Sequence, residues 1–127
     1  LVNRGMHVYA IDNGPMQREL LASGLVEHLR EDGFTWEPPC RLDWLVCDMV
    51  DKPTRVTTHM QHWLTRRWCS EAIFNLKLPM KRRWEEVARC LAQLRASLKA
   101  AGVAADVRCR QLYHDREEVT VHVRLRE

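Results

Sequence analysis

Five ionisable residues stand at or beside the ends of apolar, strand-like segments in this chain of 127 residues: Asp12, Asp32, Asp48, Lys77 and Glu118. Carboxylates accept hydrogen bonds from hydroxyl groups, and an amine held beside carboxylates can exchange a proton with a ligand. An ammonium group is costly to bury without a partner. Lys77 follows a run of apolar residues and precedes Pro79 by two positions. These residues therefore predict a polar site with a paired positive charge.

Strands and helices are predicted to alternate along the chain. The predicted strands are Met6–Asp12, Leu25–Leu29, Asp43–Asp48, a fourth near 72–78 that reads as buried on both faces, Ala105–Leu112 and Val119–Leu125. The predicted helices are Met16–Ser23, Pro53–Cys69 and a longer one whose single apolar stripe is Met80, Trp84, Val87, Leu91, Leu94 and Leu98, with Gly102 as its C-terminal cap. This order predicts an α/β fold with a largely parallel sheet.

The predicted fold brings the five ionisable residues to one edge. In an open parallel sheet all strand C-termini lie on the same edge, where ligands bind. The turn before the last strand is too short for a crossover helix, so this strand must run antiparallel, and Glu118 at its start returns to that edge. The alternative interpretation is that strand ends are exposed to solvent, where charged side chains are common and need no functional role. For Lys77 between two carboxylates, the residues alone favour neither interpretation.

Composition limits the other classes of site and location. The chain carries a formal charge of +3 and has no Ser/Gly linker, so a single domain over residues 1–127 is predicted. Five cysteines without a C-x-x-C pair predict reduced thiols and a cytoplasmic setting. His59 and His62 could share a metal, but no third ligand is near them in sequence, so no metal site is predicted. No apolar run approaches the length of a membrane span, and no membrane partner is expected.

Several segments of the chain resemble one enzyme family. VYAIDNGPM, LREDGF, WLVCDM, AIFNLKLPMK and RQLYHDREEVTVHV resemble the catalytic domain of FtsJ-like 2′-O-ribose methyltransferases that act on 23S rRNA. The resemblance extends over essentially the whole chain. It implies a Rossmann-like class I methyltransferase fold with an antiparallel last strand, S-adenosyl-L-methionine as methyl donor without a metal, and a cytidine ribose as acceptor. The intact enzyme is expected to be a monomer.

The same resemblance implies a role for each of the five ionisable residues. Asp12 corresponds to the acid that holds the donor's ribose hydroxyls, and Asp32 to the position beside the adenine ring. Asp48 corresponds to a residue near the methionine part of the donor that also belongs to the catalytic group. Lys77 corresponds to the proton acceptor, and Glu118 to the closing acid of a Lys-Asp-Lys-Glu tetrad. A ribose hydroxyl must lose its proton as it is methylated, which explains the need for a base.

Two parts of the family pattern are expected upstream of Leu1: the first strand with its glycine-rich loop, and the first lysine of the tetrad. The chain is therefore predicted to be a C-terminal part of the enzyme in which two strands lose their shared neighbour. We expect negligible methyl transfer by this chain alone. Tight rRNA binding is not expected either, because the amino-terminal RNA-binding part would also be missing.

Two other classes of function stay open. The first is a non-catalytic RNA-binding α/β module, based on the basic clusters 66–67 and 81–83 with Trp68 and Trp84 beside them, although packing of these tryptophans in the core is favoured. The second is an α/β domain that binds another nucleotide. In that case Asp12 holds a ribose and Lys77 only makes an ion pair.

Overall fold

The computed structural model describes residues 7–11, 26–29, 33–48, 51–78, 83–111 and 118–126. The chain divides into two compact units, Leu1–Glu37 and Pro38–Glu127, which are described separately below. The expectation of a single domain over residues 1–127 stays a prediction.

The first unit contains a pair of short parallel strands. Strand β1 (Val8–Ile11) pairs in parallel with β2 (Val26–Leu29), and the sequence predicts a strand in each of these two segments. The Tyr9 ring makes an edge contact with His7 and lies 5.8 Å from the Trp36 ring, measured between centroids. Asp12, Asp32 and the predicted helix Met16–Ser23 lie outside the described residues, so the structure does not test them.

The second unit is built on a four-stranded sheet in the order β3-β4-β6-β5. Its strands are β3 (Leu42–Cys47), β4 (Cys69–Lys77), β5 (Ala105–Arg110) and β6 (Glu118–Leu125). Strand β3 runs parallel to β4, whereas β6 is antiparallel to both β4 and β5. The predicted antiparallel last strand is therefore confirmed. Its insertion between β4 and β5 brings Glu118 directly opposite Lys77.

Two helices accompany the sheet: α1 (Pro53–Thr65) and α2 (Arg83–Ala100). Helix α1 ends four residues earlier than predicted because Arg67 adopts a left-handed φ of 55° and β4 begins at Cys69. Gly102 has a φ of 70°, and Val103 N–H donates to the carbonyl of Leu98 at 2.9 Å. The predicted glycine cap is therefore confirmed. Neither helix in the described parts of the chain is long and apolar enough to cross a membrane.

The hydrophobic core of the second unit lies on one face of its sheet. Helix α1 packs against β4 and against α2. The buried core side chains include Ala72, Phe74 and Leu76 of β4, Val119, Val121 and Val123 of β6, Val56, Met60 and Leu64 of α1, and Val87, Cys90, Leu94 and Leu98 of α2. This core fixes which face of each strand is exposed, and hence where polar side chains can gather.

Two expectations about burial are wrong. Strand β4 is not buried on both faces: Ala72, Phe74 and Leu76 are buried, but the intervening side chains are only half-buried and Lys77 is exposed. The covering helix shields one face, so burial follows the period of two. Trp84 is also not in the core, since it is 64% exposed. It lies in the first turn of α2, to one side of the stripe that Val87 leads.

Candidate functional site

Lys77 and Glu118 form the first pair of the candidate site. Lys77 is the last residue of β4, Glu118 is the first residue of β6, and the two are directly opposite in the ladder. Lys77 Nζ lies 3.9 Å from Glu118 Oε1, and the side chains are 47% and 21% exposed. The ammonium is therefore accessible rather than buried. Such an exposed ion pair contributes only about 0–1 kcal/mol to stability, so the strand register brings these two groups together.

Asp48 joins the same site through a chain of hydrogen bonds. It follows directly after β3 and is exposed. The Asn75 side-chain amide donates from Nδ2 to Asp48 Oδ1 at 2.9 Å. Thr120 Oγ1 in turn donates to Asn75 Oδ1 at 2.8 Å. A continuous polar chain therefore runs across β6, β4 and the end of β3.

The polar chain and the Lys77–Glu118 pair share one face of the sheet. Asn75 is opposite Thr120 in the ladder, one step of two residues from the pair formed by Lys77 and Glu118. Residues two apart on a strand point to the same face and are about 6–7 Å apart. This is the face opposite the buried side chains of β4 and β6. We call these five residues, Asp48, Asn75, Lys77, Glu118 and Thr120, the strand-end site.

Three of the five residues singled out in the sequence therefore lie together. Asp48, Lys77 and Glu118 all belong to the strand-end site, with Glu118 near Lys77 and Asp48 held by Asn75. Their chemical roles stay predictions. Asp12 and Asp32, expected to hold the donor's ribose and adenine, lie outside the described residues and also stay predictions.

Sequence reasoning missed two members of this site, Asn75 and Thr120. The signal that could have found them is the two-residue period of a strand. Asn75 precedes Lys77 by two positions, and Thr120 follows Glu118 by two. Each must therefore share a face with the ionisable residue already chosen. The apolar residues around Asn75 obscured this two-residue signal, because they predicted a strand buried on both faces.

Farther along the same face lies a second polar cluster. Glu71 Oε2 is 2.9 Å from His122 Nε2, and Glu71 Oε1 is 3.9 Å from Arg124 Nε. The Trp44 ring stacks on the His122 ring with 5.7 Å between centroids and an interplanar angle of 11°. The open face of the sheet is thus polar along β4 and β6, with an aromatic contact at β3.

Burial disfavours the thiolate form of three of the chain's five cysteines. Burial raises the pKa of the Cys69 thiol to about 12, and burial also raises the pKa values of Cys90 and Cys109. A protonated thiol is a poor nucleophile and a poor metal ligand. In the described ranges, no group of three or more His, Cys, Asp or Glu side chains could hold a metal ion.

The chain closely matches proteins named ribosomal RNA large subunit methyltransferase M. The protein of that name from Chromohalobacter salexigens is 69% identical over 123 residues, which are 97% of this chain and 34% of the relative. The one from Escherichia coli O1:K1 / APEC is 57% identical over 125 residues, 98% of this chain and 34% of the relative. The resemblance inferred from the sequence is confirmed. The chain spans about a third of the length of these curated relatives. It matches no protein-family model.

A solved structure supports the fold independently of sequence. Trm5b from Pyrococcus abyssi matches with a TM-score of 0.60 and 14% identity, over 94% of this chain and 37% of that one. The predicted α/β methyltransferase-like fold, with its antiparallel last strand, is therefore confirmed at the level of fold. At this identity the likeness carries no information about individual site residues.

Proposed function

We propose that this chain is the catalytic part of an enzyme that methylates the 2′-hydroxyl of a cytidine in 23S rRNA, with S-adenosyl-L-methionine as donor. The observation that carries the proposal is the Lys77–Glu118 pair beside Asp48, at the strand ends of a methyltransferase-like fold. The close relatives named as rRNA methyltransferases support the choice of substrate. Activity is proposed for the full-length gene product, and negligible transfer is expected from the 127 residues alone.

The residues of the strand-end site fit a cationic methyl donor and a sugar hydroxyl. S-adenosyl-L-methionine, when bound, supplies a methyl group activated by a sulfonium. The exposed Asp48 carboxylate offers negative charge near that cation. Asp12 and Asp32, together with Asp48, are proposed to hold the donor. No metal is required by this assignment.

Lys77 is proposed to take the proton from the attacking 2′-hydroxyl. Its side chain is 47% exposed, so a ribose on the surface of the protein can reach its amine. The amine must be neutral when the hydroxyl arrives and becomes an ammonium as the oxygen–methyl bond forms. Glu118 Oε1, 3.9 Å from the nitrogen, stabilises the positive charge that develops there.

An rRNA substrate also implies a cytoplasmic enzyme. We propose that this enzyme acts as a monomer and that residues 1–127 belong to one catalytic domain.

The test is methyl transfer by the full-length gene product to 23S rRNA that lacks the modification. We expect Lys77→Ala to lower kcat at least about a hundredfold, since a positioned base contributes about 10²- to 10⁴-fold. Donor affinity, measured by calorimetry, should change less than about threefold. Lys99→Ala, in the last turn of α2, is the matched control and should be fully active. Wild-type turnover by the Lys77 variant would refute the assignment.

A non-catalytic RNA-binding module is the second candidate. The Trp84 indole is 64% exposed in the first turn of α2, next to Arg83, where it could stack on a base. The two candidates differ in the donor. A module of this kind binds rRNA without S-adenosyl-L-methionine and shows no donor binding in calorimetry, whereas the proposed enzyme binds both.

A further inference from the structure

We infer that Asn75 and Thr120 are positioning residues that hold the Asp48 carboxylate in place for methyl transfer. The inference rests on the proposed function, because it assigns Asp48 to the reacting site. Neither residue belongs to the apolar core, because both side chains are only half-buried on the open face of the sheet. Together they make the two hydrogen bonds that connect Asp48 to the interior of the ladder.

The direction of each hydrogen bond follows from the chemistry of the three side chains. A carboxylate only accepts hydrogen bonds, so the NH₂ group of Asn75 must face Asp48. This orientation turns Asn75 Oδ1 toward Thr120. The Thr120 hydroxyl must then donate its proton, since an amide oxygen cannot. Thr120 therefore fixes which way the Asn75 amide points, and the amide presents a donor to Asp48.

The position of each residue in the sheet explains why Asp48 needs such support. The described ladder between β3 and β4 ends at the pair Cys47–Phe74, and Asp48 comes one residue later. Its exposed side chain would otherwise be free to change rotamer. Asn75 and Thr120 are opposite each other within the ladder of β4 and β6, one step from Lys77 and Glu118. They therefore connect a strand-end carboxylate to the two strands that also set the position of the proton acceptor.

Two substitutions of Thr120 separate positioning from structural support. Thr120→Val keeps the β-branched shape, which strands favour, and removes only the hydroxyl. Thr120→Ser keeps the hydroxyl but removes the methyl group. If Thr120 only supports the structure, Thr120→Ser should reduce activity more than Thr120→Val does. A positioning role predicts the reverse order in catalysis, with serine more active than valine.

The assay is methyl transfer to unmodified 23S rRNA by the full-length gene product, together with thermal melting. We expect Thr120→Val to lower kcat about tenfold, with the KM for rRNA within about threefold, and Thr120→Ser to keep at least about a third of wild-type kcat. The loss corresponds to one hydrogen bond that supports a charged group. Thr58→Val is the matched control and should be fully active. It removes a hydroxyl that donates to the Thr54 carbonyl on α1 and accepts from Gln93 Nε2 on α2 at 3.3 Å.

Asn75→Asp provides a second test that preserves size. It replaces the donor group with a carboxylate that faces Asp48, so it should lower kcat between about ten- and a hundredfold. Wild-type kcat in this variant, or a valine variant at Thr120 as active as the serine variant, would overturn the inference. A wild-type protein that neither binds donor nor methylates rRNA would instead refute the proposed function, so the two failures are distinguishable.

Discussion

Lys77 is the residue on which the proposed chemistry of the strand-end site depends most. Its side chain is 47% exposed at the end of β4, where a solvated charge is inexpensive. The physical reason to propose a function for Lys77 is therefore the carboxylates near it and not its burial. Glu118 stands opposite it, and Asp48 is held one ladder step away through Asn75.

A substitution of Glu118 tests whether the carboxylate opposite Lys77 supports methyl transfer. Glu118→Gln keeps the size of the side chain and removes its negative charge. We expect kcat for methyl transfer to fall about tenfold, because the charge that develops on Lys77 loses its nearby carboxylate. The melting temperature should change little, since the 3.9 Å pair is partly exposed.

Glu86→Gln is the matched control for this substitution. Glu86 Oε2 lies 3.6 Å from Arg89 Nη1 on α2, and its side chain is 21% exposed, like that of Glu118. This variant should leave kcat unchanged. An equal loss of activity in both variants would show that the effect of Glu118→Gln is not specific to the strand-end site.

At the scale of the elements, helix α2 shows where an apolar pattern predicts burial and where it does not. Val87, Cys90, Leu94 and Leu98 face the core as a stripe with helical spacing. Trp84 fits the same spacing within the sequence but is 64% exposed. Similar spacing in the sequence does not place every residue at the centre of the buried stripe. Trp84 lies to one side of the stripe that Val87 leads, and its indole is largely exposed.

This difference within α2 predicts opposite effects on stability. Leu94→Ala removes a fully buried side chain and should destabilise the protein by about 2–5 kcal/mol. Trp84→Ala should change the free energy of unfolding by less than about 0.5–1 kcal/mol, although more atoms are removed, because the indole is largely solvated. Chemical denaturation of the full-length product measures both. Equal destabilisation by the two substitutions would contradict the exposure of Trp84.

At the scale of the whole molecule, the sequence predicted the fold class and the order of elements well. The period of two in β6 and of 3.6 in α2, together with the Gly102 cap, are local signals that determine type and approximate bounds. Which face of β4 is open is not local, because it depends on the helix that covers the other face. The hydrogen bonds of Asn75 also depend on contacts between distant segments of the chain. They require the register between β4 and β6, which pairs residues 45 positions apart and which no short segment encodes.

Charge pairs at the ends of elements give the second unit a predictable response to acid. Asp106 on β5 pairs with Arg126, just after β6, and this hydrogen-bonded guanidinium lowers the pKa of Asp106 below its ordinary value of 3.8. A lowered pKa means that the pair stabilises the folded state above about pH 4. That contribution is lost as the pH falls through the lowered pKa.

We therefore expect Asp106→Asn to melt slightly lower than wild type at pH 6, and the difference to shrink as the pH falls below about 4. High salt at pH 6 should reduce the difference as well, because both side chains are about half exposed or more and the pair is screened. Melting curves of both proteins over this pH range measure the effect. A difference that grows on acidification would contradict the pairing, because it would require the folded state to favour protonated Asp106.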